Sequence, residues 1–260
     1  MTNKEYRSAP GISRSELFKI ATSPLHFKYA LEHPEEETTA LVFGTAAHTR
    51  ILEPGEYSKR YTVIPKIDRR TKEGRELFAR WNEDTIRTGK QLLSVEDHGT
   101  IEEMAAAIES NPLAVQLLKG EHEKSYFWDD PETGIKCKCR PDCLTEYEGR
   151  PLIVDYKTTD SCADGHFERS CRKYGYRLQA GMYTEGLLNC ELKEYGFAFV
   201  AQEKKAPYAV RVYFCSPEFI NKGYDDFRTL LGTYKWCCDH NKWYGYEGPE
   251  GAPTELIEEL

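Results

Sequence analysis

No apolar run in the 260 residues approaches membrane-spanning length, and no Gly-rich phosphate loop ends in Gly-Lys-Ser/Thr. These absences point away from a membrane-embedded chain and from a helicase or other P-loop enzyme. The start, Met1-Thr-Asn-Lys-Glu5, lacks the apolar stretch of a secretory leader, so a cytoplasmic protein is expected. No Cys-x-x-Cys pair occurs among the nine cysteines. An odd number of thiols in a chain too long to need staples reads as reduced structural residues rather than zinc or cluster ligands. Positive charge is also short, with 35 Lys+Arg against 43 Asp+Glu for a net −8. That balance excludes a protein that coats nucleic acid over its whole surface, but not a local basic groove. Bases vanish after Tyr246, where five glutamates precede the end at Leu260. Repeats and low-complexity linkers are missing too.

What is present is enough apolar material, 40% of residues, for one large domain. The expectation is a single unit spanning 1–260: a mainly helical part over 12–120, a sheet and helix over 121–215, then a helix and acidic tail over 216–260. Ser13-Arg-Ser-Glu16 has capping-box form and predicts a helix over 14–22. Ser23-Pro24 predicts a second to about His33, followed by an acidic loop at 34–38. A third helix covers 40–53, and 55–75 reads as extended loop. Helical patterns follow at 74–88, 94–110 and 113–118, the last two divided by Asn111-Pro112. Strands dominate 123–158, one long helix covers 166–188, a hairpin turns at Lys204-Lys205, and a helix closes 218–241. The order predicts an α/β (α+β) protein with a three-stranded antiparallel core.

The chemistry concentrates on one predicted hairpin. A strand pattern over 135–147, the turn Glu148-Gly149 and a strand over 150–158 pair Tyr147 with Arg150. That register sets Asp142 opposite Asp155, about 5 Å apart on one face. Lys157, two residues on, projects from the same face. Opposed acids repel unless a cation lies between them, and hard oxygen ligands suit Mg²⁺ or Mn²⁺. If the strand over 123–129 pairs back through the Pro131–Gly134 turn, Glu123 falls opposite Asp142; a slip of one residue turns it away. His48, on a helix of small apolar residues, reads either as a core histidine or as one nitrogen ligand to a metal held mainly by oxygens. Gln179 and Tyr183 share a helix face at i and i+4. The run Lys66 to Arg75, with Arg69, Arg70 and Lys72, is a basic patch: a phosphate channel or a solvated loop.

Taken in order, Gly44-x-x-x-His48, Glu123, Arg140-Pro141-Asp142, Asp155-Tyr156-Lys157-Thr158 and Gln179-x-x-x-Tyr183 resemble the PD-(D/E)XK nuclease superfamily, in its RecB-like branch. Ile12-Ser-x-Ser15, Ser23-Pro24-x-His26, Phe43-Gly-Thr-Ala-Ala-His48 and Asp68-Arg-Arg-Thr-Lys72 narrow the resemblance to RecE-type exonucleases, the nuclease domain of exonuclease VIII. It spans about residues 12–240. One departure is Cys139-Arg-Pro-Asp142, where the family usually has a Gly-x-x-Asp. The resemblance implies a restriction-endonuclease-like core, a central mixed sheet flanked by helices, with an N-terminal helical elaboration. It implies metal ligation by Asp142, Asp155, His48 and the Tyr156 carbonyl, with Glu123 beside them and Lys157 acting on the attacking water or phosphate. Gln179 and Tyr183 would be auxiliary to the lysine and DNA, with Arg140, Arg69, Arg70 and Lys72 as further substrate contacts. It implies a Mg²⁺-dependent exonuclease on linear double-stranded DNA ends, cutting 5′→3′ to leave 3′ single strands. The expected setting is recombination, phage or prophage included, with a homo-oligomeric ring (trimer or tetramer) and a single-strand annealing protein. The competing readings are a relative acting on single-stranded or flapped DNA, a non-catalytic DNA-binding protein of the same fold, and a thiol or zinc protein.

Overall fold

The computed structural model describes residues 1–34 and 38–251, and of Lys4 the backbone only. Most of the acidic loop and of the glutamate-rich tail therefore lies outside the described residues. The chain begins with α1 (Asn3–Ser8), α2 (Arg14–Ile20) and α3 (Pro24–Glu32). The Glu16 carboxylate accepts from the Ser13 backbone N–H at 2.7 Å and its hydroxyl at 2.6 Å, closing the expected capping box. Ser23 caps α3 with Pro24 in its first turn. Next come α4 (Thr39–Leu52), α5 (Pro54–Arg60), β1 (Tyr61–Ile64), α6 (Lys72–Thr88), β2 (Gln91–Ser94), α7 (Val95–Glu109) and α8 (Pro112–Leu117). The remainder is β3 (Glu121–His122), β4 (Tyr126–Asp129), β5 (Lys136–Cys139), β6 (Cys143–Tyr147), β7 (Arg150–Thr159), α9 (His166–Lys173), α10 (Tyr176–Glu191), β8 (Gly196–Glu203), β9 (Val210–Phe214) and α11 (Pro217–His240).

The central sheet is mixed, with five strands in the order β3-β6-β7-β8-β9. β7 and β8 run parallel, joined through α9 and α10, while the other neighbours are antiparallel. Helices cover both faces. Ile153, Phe197 and Phe199 pack with residues of α2, α9, α10 and α11, whereas Leu152, Val154, Ala198 and Val200 pack against α4, α7 and α8. Alternate residues of β7 and β8 thus serve opposite cores, so both strands are apolar along most of their length. The helices on the first face approach closely: a Cβ on Gly223 of α11 would fall 2.0 Å from the Arg177 carbonyl oxygen of α10. Among the described residues no helix is long and apolar enough to cross a membrane.

The core is therefore not three antiparallel strands, and several expected elements divide. The strand expected over 135–147 breaks at Arg140-Pro141-Asp142, because Pro141 has no N–H for a ladder. β5 leaves to pair with β4 as a separate ribbon, and β6 stays in the main sheet. The helix expected over 166–188 breaks at Gly175, which takes a φ of 64°. The stretch 55–75 is not all loop. Pro54 opens α5, Glu53 clamps Arg60 at 2.8 and 3.0 Å, and β1 pairs in parallel with the distant β2. β9 begins at Val210, beyond Pro207 and a left-handed Tyr208.

Candidate active site

The hairpin register is the expected one: Tyr147 pairs with Arg150 and Cys143 with Val154. Extending the ladder by one position sets Asp142 opposite Asp155. Glu123 is not inside a strand; it sits just past β3 with a φ of 55°. Its backbone N–H donates to the Asp142 carbonyl at 3.2 Å, extending the β3–β6 ladder by one residue. The left-handed turn ends β3 there and leads away to the β4–β5 ribbon.

His48 arrives from the last turns of α4. Its Nε2 lies 2.9 Å from Asp142 Oδ2 and its Nδ1 3.6 Å from Glu123 Oε1. One potential ligand atom from each of His48, Glu123 and Asp142 falls within 4.8 Å of the others. The core-or-ligand ambiguity of His48 thus resolves to a partly buried ring among acids. Asp142 Oδ2 also accepts from the Tyr156 backbone N–H at 2.9 Å. Asp155, 1% exposed, is held differently: Gln179 Nε2 donates to one oxygen, and the other meets Lys157 Nζ in an ion pair. Asp155 is not a member of the three-residue cluster.

The electrostatics follow from burial among like charges. Burial and the Asp142 charge push the Asp155 carboxyl up to about 6, with Lys157 and His48 pulling the other way. Burial and Asp142 also raise Glu123, against His48 and Arg140. Asp142 is lowered: burial alone would raise it, but the His48 charge and hydrogen bond, Lys157 and the Tyr156 N–H outweigh that. Burial would lower His48, yet Asp142, Glu123 and Asp155 together lift it to about 9. The imidazolium thus meets the Asp142 and Glu123 carboxylates with the opposite charge.

The remaining expected contacts divide. Tyr156 turns its side chain to the opposite face, where its hydroxyl donates to Gln202 Oε1 at 2.6 Å. Tyr183 is half-buried on α10 against the core, with burial raising its phenol well above the usual range. Arg140 is not an open substrate contact. Its side chain is 8% exposed, pairs with Glu123, lies over Tyr6 and donates to the Met1 carbonyl at 3.0 Å and to Ser125 at 3.1 Å. It is the clamp on Glu123, a role sequence reasoning missed; Arg140 two positions before Asp142 was the available signal. Arg69 lies over Phe78, Arg70 pairs with Asp68, and Lys72 stands 4.0 Å from Glu76. Among the described residues no ion pair ties these three to the acids, and Arg70 and Lys72 face neighbouring carboxylates at the start of α6 instead.

A mixed sheet with helices on both faces, with an acid just before β6 and an acid and a lysine on β7, defines a nuclease-like fold of the PD-(D/E)XK class. The chain belongs to the family described as "PDDEXK-like domain of unknown function (DUF3799)", which matches residues 13–249. Among solved structures, one from Eubacterium rectale described as a "Putative exonuclease" superposes with a TM-score of 0.68 at 15% identity, covering 100% of this chain and 96% of that one. At that identity the likeness shows the fold. A second, SSO0001, aligns at a TM-score of only 0.30 with 14% identity over 82% of this chain and 84% of that chain, and carries no argument. No curated protein matches the sequence.

Proposed function

We propose that this protein is a divalent-metal-dependent exodeoxyribonuclease acting on ends of linear double-stranded DNA, in the manner of RecE-type exonucleases. The observation that carries the reading is the convergence of His48, Glu123 and Asp142 within 4.8 Å, beside the pair of buried Asp155 with half-buried Lys157. The donor set fits Mg²⁺ or Mn²⁺: carboxylate oxygens with one imidazole, and no thiolate among them. Asp142, Glu123, Asp155, His48 and the Tyr156 carbonyl would hold the ion, with Asp155 released from part of its present pairing. When bound, such an ion lowers the pKa of water and neutralises phosphoryl oxygens.

The chain's own residues do the rest. Lys157 places a compact ammonium where the attacking water and the scissile phosphate meet, and stabilises charge that develops on the phosphoryl group. Gln179 orients Asp155 through its amide, and Arg140 aims Glu123. His48 would give up its proton for its ring to serve as a ligand, which would make binding of the ion pH-dependent. The finer parts of the reading rest on the sequence resemblance: 5′→3′ polarity leaving 3′ single strands, a ring of three or four copies around DNA, a cytoplasmic setting, and an annealing protein as partner.

Linear duplexes labelled at either end, incubated with Mg²⁺ or EDTA, test the proposal. Mg²⁺-dependent release of nucleotides from the 5′-labelled end supports it. Release only from single strands or flaps, or binding without cleavage, moves the chain to a different nuclease or to a DNA-binding relative. Light scattering with and without duplex tests the ring.

A further inference from the structure

Tyr174 and Tyr176 flank the break between α9 and α10. On an uninterrupted helix residues two apart do not face each other, so these rings could not meet. Gly175 changes that with its left-handed backbone, and no larger residue fits there: a Cβ would fall 2.4 Å from the Phe18 ring. The rings stack with centroids 5.8 Å apart and planes at 29°. The inner ring adjoins the site, since Lys157 Nζ lies 5.0 Å from the Tyr176 centroid. The outer ring, Tyr174, is 45% exposed.

Cations are interleaved with this pair. The Arg14 guanidinium lies 5.8 Å from the Tyr176 centroid and donates to the Tyr174 carbonyl, while its Nε is buried with no hydrogen-bond partner. Lys173 Nζ stands 5.1 Å from the Tyr174 centroid. Both rings, Thr158, Ser170 and Lys204 line a hollow of about 140 Å³. Lys204 is paired there with Asp160 at 2.9 Å, so a bare phosphate would meet a carboxylate in that hollow.

We propose that the Tyr174–Tyr176 step is a stacking platform for an unpaired nucleobase of the strand whose phosphate lies at Lys157. The inference rests on the nuclease reading and adds to it a binding site for the splayed end of the substrate. An aromatic step next to basic side chains is the recurring means of holding single-stranded nucleic acid without reading its sequence, because every base offers a π-face. Lys157 and Lys173, at the two rings, serve the neighbouring phosphates and the rings serve the base.

The test compares the parent protein with Tyr174→Ala and Tyr174→Phe. KM for digestion is measured in Mg²⁺, and Kd for frayed-end duplexes in EDTA, with one abasic nucleotide walked through the terminal positions of each strand. Tyr174→Ala is expected to raise KM and Kd about tenfold on natural ends, and Tyr174→Phe to leave both near the parent values. At the abasic position that removes the stacked base, parent and Tyr174→Ala should bind alike. A parent that cuts DNA while Tyr174→Ala matches it in both measurements overturns the platform alone. The same loss at every abasic position, or in Tyr174→Phe, overturns it as well. A parent that neither binds nor cuts any duplex overturns the nuclease reading, and the platform with it.

Discussion

His48 Nε2 stands 2.9 Å from Asp142 Oδ2, joining α4 of the N-terminal half to the residue just before β6 across 94 positions of sequence. The contact ties α4 to the acid cluster, and the acids around the ring set its protonation. His48, raised to about 9, keeps its proton at neutral pH in the free protein. Binding Mg²⁺ or Mn²⁺ through the ring must then release about one proton. Calorimetry at pH 7 in buffers of different ionisation enthalpy should show that release, and His48→Ala should abolish it. The sign for stability is the reverse of the carboxylate case. A folded value of about 9 against the ordinary 6.5 contributes stability that is full below about 6.5 and fades as pH rises through about 9. Melting curves in EDTA should show that decline in the parent and a smaller one in His48→Ala; identical slopes contradict the assignment.

Lys157→Ala should keep the fold and metal binding and lose hydrolysis by about 10²-fold or more, the scale of a positioned catalytic group. Asp142→Ala and Asp155→Asn should weaken metal binding as well. Retained Mg²⁺-dependent digestion by purified Lys157→Ala refutes the role of the lysine. Since Lys157 offsets the upward push on Asp155, its removal should also raise the Asp155 carboxyl further above about 6.

Arg140→Ala leaves Glu123, 12% exposed, without its clamp. Breaking a buried ion pair on one side costs about 3–5 kcal/mol. Urea titration should register that loss, and Mg²⁺ affinity should fall with it. Glu123→Gln in the same background should recover part of the stability, since the orphaned charge is gone, but not the affinity. If Arg140→Ala is as stable as the parent, the pair is not the clamp described.

Gly223→Ala should destabilise the α10–α11 crossing by about 1–3 kcal/mol or more, the cost of overpacking a contact that cannot open. The new methyl would meet backbone, the Arg177 carbonyl oxygen at 2.0 Å, so no side chain can move aside. Gly232→Ala on the same helix meets nothing within 4 Å and serves as the control. Equal denaturation midpoints for the two variants would show that the helices yield.

Residue chemistry alone determined the local elements with strong caps and the register around Glu148-Gly149, because a short turn leaves a hairpin few alternatives. It also determined that Asp142, Asp155 and Lys157 share a face, a consequence of the two-residue strand period. It missed the parallel β1–β2 pair and the division of the long helix at Gly175. Which charges meet which was decided only by the tertiary structure. Arg140 faces Glu123 instead of solvent, and His48 comes beside Asp142, because packing of α4 and of the N-terminal helix brings together groups that no local pattern couples. Periodicity assigns a side chain to a face; its partner across the core depends on how distant elements are stacked.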